Sequence, residues 1–182
     1  MKKRIALDVE GVIANIHQLL IEYLNRLYKV SLTIEDISDW YFGDKIRGLG
    51  LTPTDCIEVM SEIWRNRWQT VPTTESYIGN KVFKLYERHK VDIVTARKER
   101  EIIERWLEAN SIPYHDFIVE ERKENLDYDI FIDDNPNLYK NLPKDRIQFL
   151  YDRPWNRMAN ETVNCVRVYN FDDILCKLIF LS

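Results

Sequence analysis

Two pairs of acidic residues follow apolar segments of the chain, Asp8 with Glu10 and Asp133 with Asp134. If these segments are parallel strands, their carboxyl ends meet at one edge of a sheet and the four carboxylates form a single pocket. Hard oxygen ligands with room for water are what Mg²⁺ requires. We therefore expect a Mg²⁺ site made by Asp8, Glu10, Asp133 and Asp134. Taken alone, the first pair could equally be a helix cap and a solvated side chain.

Two further polar features accompany the acids. Thr95-Ala96-Arg97 follows another apolar segment, and we expect Arg97 to open the next helix. A hydroxyl and a guanidinium at that point suit the binding of phosphate oxygens. Lys123 precedes the second acidic pair and could offset its charge, although a solvated side chain in the charged run 120–124 is the alternative. These residues add a candidate phosphate-binding function to the acidic pocket.

Six apolar runs predict the strands that position these residues. They are residues 4–9, 91–95, 117–119, 130–132, 147–151 and 166–169. Apolar runs without alternation are typical of parallel strands that are buried on both faces. Segments with helical periodicity, residues 77–88 and 99–110, lie between several of them. Strands that alternate with helices predict an α/β fold with a parallel sheet and right-handed crossovers.

Residues 16–75 depart from this alternation because they contain two amphipathic helices, about 16–28 and 52–68, and no good strand. Thr52 suits a helix N-cap, and Pro53 suits the first helical position. A helical block inserted after the first strand would lie over the carboxyl ends of the strands, where such sheets bind ligands. We therefore expect an α/β core of residues 1–15 and 76–182 and a small helical cap of residues 16–75.

Aromatic residues are frequent in this cap, among them Trp40, Phe42 and Trp64. Packing of a small cap core is one interpretation. The other is substrate binding, because loop aromatics above an acidic phosphate site could stack on a nucleobase, worth about 1–3 kcal/mol per base. A cap with many aromatics could also cover a homodimer interface.

Composition narrows the possible partners and the location. The 182 residues carry 26 Lys and Arg against 30 Asp and Glu, a formal charge of -4, so a nucleic-acid polymer is not the expected partner. No apolar run approaches the ~18 residues of a membrane span. Three cysteines are too few and too far apart for a disulfide framework or a cysteine-rich zinc site. We expect a cytoplasmic protein that acts on a small phosphorylated molecule.

Taken in chain order, these features resemble the four motifs of the haloacid dehalogenase-like phosphohydrolases. The matching residues are Asp8-Val9-Glu10-Gly11-Val12 for the first motif, Asp-x-Asp-Gly-[Thr/Val], then Thr95, Lys123 and the pair Asp133-Asp134. The helical insert and the phrase Asp-Ile-Phe-Ile-Asp-Asp-Asn-Pro resemble the cytosolic 5'(3')-deoxyribonucleotidase group. Residues 151–157 are similar to a segment of bacterial relatives of that group.

The resemblance implies a three-layer Rossmann-like core and a role for each motif residue. Asp8 would take the phosphoryl group as an aspartyl-phosphate, and Glu10 would transfer the proton. Thr95 would hydrogen-bond the transferring group, and Lys123 would offset its charge. Asp133 would hold Mg²⁺ with the following acid as a further ligand or orienting neighbour, and the backbone carbonyl of Glu10 would also contact the metal. Arg97 and the cap aromatics would contact the rest of a nucleotide.

Glu10 departs from the family, which normally has Asp at this position. The extra methylene moves the carboxyl group by about 1 Å, and a misplacement of that size can cost about 10²-fold in rate. The sequence predicts a Mg²⁺-dependent phosphomonoesterase of (deoxy)nucleoside monophosphates. Two alternatives stay open: the same chemistry on a sugar phosphate or a polynucleotide end, and a phosphate-binding or regulatory protein whose turnover is attenuated through Glu10.

Overall fold

A computed structural model describes residues 2–180. Its strands are β1 Arg4–Leu7, β2 Lys90–Thr95, β3 Phe117–Val119, β4 Ile130–Asp133, β5 Ile147–Tyr151 and β6 Cys165–Val168. They form one parallel sheet in the order β3-β2-β1-β4-β5-β6. All six predicted runs are strands. However, β1 ends at Leu7 instead of residue 9, because the chain turns towards Gly11, whose φ is +76°.

Within the described residues, six α-helices accompany the sheet: α1 Ile16–Tyr28, α2 Gly43–Arg47, α3 Pro53–Arg67, α4 Ile78–Arg88, α5 Arg100–Ala109 and α6 Phe171–Ile179. Strand side chains alternate between the two faces of the sheet, so Ile5 and Leu7 join a larger hydrophobic cluster and Ala6 a smaller one. Residues of α4, α5 and α6 cover the larger cluster. Leu138 and Leu142, at a short 3₁₀ helix, close the smaller one. The sheet is therefore the middle of three layers.

The segment 16–75 contains α1, α2 and α3. Helix α3 begins as predicted, since the Thr52 hydroxyl accepts a hydrogen bond from the backbone N–H of Asp55 and the Asp55 carboxylate accepts one from the backbone N–H of Thr52. Helix α1 packs against α3, and α3 packs against α5. The segment leaves and rejoins the sheet at adjacent points, where the backbone N–H of Asn15 donates to the Pro72 carbonyl at 2.8 Å. This pairing holds α3 close to the end of β1.

None of the helices found among residues 2–180 combines the length and the apolar character needed to cross a membrane. The cysteines Cys56, Cys165 and Cys176 are free thiols, and the first two are buried. Burial raises the pKa of the Cys56 and Cys165 thiols to about 11, so both remain protonated and inert near neutral pH.

Candidate active site

Two neighbouring strands bring three of the predicted acids together. Asp8 follows β1, and Asp133 is the last residue of β4, which pairs directly with β1. One carboxylate oxygen from each of Asp8, Asp133 and Asp134 lies within 4.8 Å of the others. All three side chains are buried. Strand-end convergence thus gathers three acidic groups into one cluster, which we call the acid cluster.

Lys123 lies at the centre of the acid cluster, on a short 3₁₀ helix that precedes β4. Its ammonium donates to Asp8 Oδ1 at 2.8 Å and to Asp133 Oδ2 at 2.6 Å. Burial opposes the charged form of Lys123, but the charges of Asp133 and Asp8 outweigh it and raise the pKa of the amine above its ordinary value. The solvated side chain considered for Lys123 is therefore not what the structure contains.

One lysine does not balance three carboxylates. Burial raises the pKa of Asp8 to about 7, with the charge of Asp133 adding to the rise and that of Lys123 opposing it. Burial and the charges of Asp8 and Asp133 also raise the pKa of Asp134 well above its ordinary range. A bound cation would favour the charged forms of both acids. The donor set of three close, buried carboxylates fits a hard divalent cation such as Mg²⁺.

Asp134 is enclosed by Gly11 and by the chain after β5. A Cβ on Gly11 would lie 1.8 Å from Asp134 Oδ2, so only glycine fits there. The indole N–H of Trp155 donates to Asp134 Oδ2 at 3.1 Å, and the Asn156 side chain donates to the Asp134 carbonyl at 2.9 Å. Sequence reasoning missed Trp155 and Asn156 as site residues. The similarity of residues 151–157 to bacterial relatives was the signal that could have found them.

Both oxygens of the Glu10 carboxylate accept hydrogen bonds from residues outside the acid cluster. Its Oε1 accepts a hydrogen bond from the Trp64 indole N–H at 2.8 Å, and its Oε2 accepts one from Arg97 Nε at 2.5 Å. Arg97 lies in the loop before α5, which begins only at Arg100, so the predicted helix start at Arg97 is wrong. The Thr95 hydroxyl accepts a hydrogen bond from the Arg97 backbone N–H at 3.1 Å, and this turn directs the guanidinium towards Glu10.

A cavity of about 620 Å³ opens over the acid cluster. It is lined by most of the residues predicted for the site: Asp8, Glu10, Thr95, Ala96, Arg97, Lys123, Asp133 and Asp134. Trp40, Tyr41 and Phe42 contribute an aromatic wall from the turn before α2. Trp64 does not line the cavity, because its side chain is fully buried between Glu10 and Trp106. It can therefore act on the site only through Glu10.

His17 on α1, to which the sequence analysis assigns no role, also lines the cavity. Its ring centroid lies 4.3 Å from that of Trp155. Burial lowers the pKa of His17 to about 3, and the positive charges of Arg153 and Arg97 contribute to the decrease. The imidazole is therefore neutral near pH 7 and packs as an aromatic ring against Trp155.

This fold, with its acids at the carboxyl ends of β1 and β4, is that of the haloacid dehalogenase-like hydrolases. A hydrolase of this class from Streptococcus pneumoniae superposes with a TM-score of 0.67 at 10% identity, covering 97% of this chain and 98% of that one. Residues 2–181 match the family of the 5' nucleotidase, deoxy (pyrimidine), cytosolic type C protein. The chain belongs to this family.

Two curated relatives agree with the family. The chain is 24% identical to a "putative nucleotidase" of Halalkalibacterium halodurans, over 94% of this chain and 90% of that protein. It is also 24% identical to the "putative nucleotidase" YqfW of Bacillus subtilis, over 92% of this chain and 89% of that protein. The protein is therefore a haloacid dehalogenase-like hydrolase of the 5'-nucleotidase type.

Proposed function

We propose that the protein is a cytoplasmic, Mg²⁺-dependent phosphomonoesterase that releases phosphate from (deoxy)nucleoside monophosphates through an aspartyl-phosphate. One observation carries the proposal: Asp8, held by Lys123, lines the same cavity as the aromatic wall. The family match supports a nucleotide as the substrate. We further propose that residues 16–75 serve as a cap whose aromatic turn contacts the nucleobase.

In the first step, an Asp8 carboxylate oxygen attacks phosphorus while the bond from phosphorus to the sugar oxygen breaks. The proton of the Glu10 carboxyl group passes to the leaving oxygen, which departs as a neutral alcohol. In the second step, Glu10 takes a proton from water, whose oxygen attacks phosphorus and releases Asp8 and inorganic phosphate. Lys123 and the Thr95 hydroxyl orient the phosphoryl group through both steps.

Asp8, Asp133 and Asp134 would hold the metal ion in this proposal. When bound, Mg²⁺ offsets the mutual repulsion of a dianionic phosphate and a carboxylate nucleophile. The raised pKa values of Asp8 and Asp134 support this assignment, because they mark a site that gains charge stabilisation from a cation. Trp155 would orient Asp134 towards the metal ion through its indole N–H.

The proposal extends to the number of phosphates on the substrate. Glu121 and Glu124 line the cavity together with Asn137 and Asn141, so carboxylates and amides would face the part of the substrate beyond the phosphoryl group. A second phosphate on the sugar would meet carboxylates of the same charge. We therefore expect nucleoside monophosphates to be better substrates than nucleoside 3',5'-bisphosphates.

The direct test is phosphate release from a panel of nucleoside and deoxynucleoside 5'- and 3'-monophosphates, a 3',5'-bisphosphate, sugar phosphates and a 5'-phosphorylated oligonucleotide. Each assay is run with Mg²⁺ and with EDTA. Asp8→Asn serves as the inactive variant and Asp145→Asn, at an exposed carboxylate, as its matched control.

We expect Mg²⁺-dependent release that is strongest for nucleoside monophosphates and is lost only in Asp8→Asn. Faster release from a sugar phosphate or the oligonucleotide would mean that nucleoside monophosphates are not the preferred substrates. The proposed phosphatase mechanism would still hold. No release from any compound, combined with Mg²⁺-dependent nucleotide binding by calorimetry, would reject the phosphatase and favour the binding or regulatory protein.

A further inference from the structure

Glu10 is held by donors from two separate parts of the fold. The Trp64 indole belongs to α3, whereas the Arg97 guanidinium belongs to the loop between β2 and α5. Each donor takes a different oxygen of the carboxylate. The side chains of Arg97 and Glu10 are only 10% and 16% exposed, so solvent competes little for these contacts. The position of the carboxylate is therefore defined from two directions.

Arg97 also binds α3 directly. Its Nη1 donates to the Ile57 carbonyl at 3.2 Å and to the Ser61 hydroxyl at 3.1 Å. The guanidinium thus joins the end of the sheet, the Glu10 carboxylate and α3 in one hydrogen-bonded group. Because Trp64 lies on the same helix, the packing of α3 fixes both donors relative to Glu10.

The length of the glutamate side chain is what allows these contacts. An aspartate carboxylate would lie one methylene group, about 1 Å, closer to the backbone. The present distances of 2.8 Å to Trp64 and 2.5 Å to Arg97 would then exceed the range of a hydrogen bond unless α3 moved. The site therefore matches glutamate at position 10.

We propose that Trp64 and Arg97 are positioning residues for Glu10, and that the site is built around glutamate instead of being attenuated by it. This inference rests on the proposed function, since it concerns the group that delivers the proton to the leaving oxygen. Positioning of that group affects the first step only when the leaving group needs a proton. A sugar alkoxide needs one, whereas 4-nitrophenolate departs as a stable anion.

The first test compares kcat/KM for a nucleoside monophosphate and for 4-nitrophenyl phosphate in Trp64→Phe. This parameter reports the steps up to the first irreversible one, and so isolates departure of the leaving group. We expect a decrease of about 10- to 100-fold for the nucleotide and less than about threefold for the aryl phosphate. Trp106→Phe is the matched control, because Trp106 is a buried neighbour whose indole N–H donates to the Val71 carbonyl and not to Glu10. Equal losses on both substrates in Trp64→Phe would overturn the inference.

The second test uses Glu10→Asp, which changes no residue of α3. We expect its kcat/KM for the nucleotide to decrease by about 10- to 100-fold. The double variant Glu10→Asp with Trp64→Phe should be no slower than Glu10→Asp alone, since aspartate no longer reaches the indole. A faster Glu10→Asp enzyme, or additive losses in the double variant, would contradict the inference.

A spectroscopic readout separates this inference from the proposed function. The chain has 5 tryptophans, and their indole N–H signals can be assigned from the Trp→Phe variants. Glu10→Asp should shift the Trp64 signal and leave the Trp106 signal in place. If the Trp64 indole N–H signal did not shift in Glu10→Asp, the inference would be rejected even if the enzyme were active. If wild-type protein hydrolyses no phosphate ester while the Trp64 signal shifts, the proposed function fails but the contact stands.

Discussion

Two cations, Lys123 and Arg97, balance carboxylates in the same cavity, but the fold builds their surroundings differently. Lys123 contacts Asp8 and Asp133, two acids that are fixed by the ends of adjacent strands. Arg97 contacts Glu10 and helix α3, so its environment combines the sheet edge with the helical segment. The two carboxylates that Lys123 contacts are therefore placed by neighbouring strands, whereas the group around Glu10 depends on where α3 packs.

The largest expected effect comes from removing the central charge of the acid cluster. Lys123→Met leaves buried carboxylates without their cation, and we expect the metal-free protein to lose about 3–5 kcal/mol of unfolding free energy. Urea unfolding in EDTA at about pH 8 measures this loss. Arg97→Met should cost less, because its partner Glu10 is a single carboxylate with some access to solvent.

The control for this comparison is Lys45→Met, at an ion pair with Asp36 in which the lysine side chain is 71% exposed. Such exposed pairs contribute about 1 kcal/mol or less. If Lys123→Met were no more destabilising than Lys45→Met, the acid cluster would not be held together by its lysine.

A second prediction concerns the negative charge of the acid cluster that Lys123 does not balance. Asp8 and Asp134 both have raised pKa values in the folded state, so each contributes stability at low pH that is lost as the pH rises. For Asp8 this contribution is complete below about pH 4, the ordinary range of Asp, and is lost as the pH rises through about 7. Asp134→Asn removes one charge and keeps an acceptor for Trp155. In EDTA we expect this variant to be more stable than wild type by about 1–4 kcal/mol at pH ~8, with little difference at pH ~4.

This difference in stability can be measured by thermal unfolding of both proteins across this pH range, with and without Mg²⁺. Mg²⁺ should stabilise wild type more at high pH than at low pH and should stabilise Asp134→Asn less. A wild-type protein that is more stable than the variant throughout the range in EDTA would show that the three carboxylates do not repel one another. Asp145→Asn, at an exposed carboxylate, controls for the loss of a surface charge.

The difference between the acid cluster and the group around Glu10 also explains which contacts could be predicted from the sequence. Apolar runs without alternation identified every strand of residues 2–180. Strand-end convergence predicted one pocket of Asp8, Glu10, Asp133 and Asp134, and three of these acids form the acid cluster. The contact of Trp64 with Glu10 was not predictable, because periodicity assigns Trp64 to a helix face without saying which side chain that face meets. The helix start at Arg97 was predicted wrongly for a related reason, since a tertiary contact with Glu10 holds the residue in a loop.

Trp155 and Trp64 provide the sharpest comparison, because each indole N–H donates to one acidic side chain of the site. Trp155 donates to Asp134 in the acid cluster, and Trp64 donates to Glu10. Trp155→Phe removes a hydrogen bond that orients a proposed metal ligand, so we expect the Mg²⁺ concentration for half-maximal rate to rise by about tenfold. The ratio of activities on the nucleotide and on 4-nitrophenyl phosphate should stay unchanged at saturating Mg²⁺.

Trp64→Phe should give the opposite pattern, with a changed ratio between the two substrates and an unchanged Mg²⁺ requirement. Titrations of both variants on both substrates separate the two outcomes, with Trp106→Phe as the common control. A rise in the Mg²⁺ requirement in both variants would mean that the acid cluster and the group around Glu10 are energetically coupled. In that case Glu10 would depend on the acid cluster, and the packing of α3 would govern metal binding as well as proton transfer.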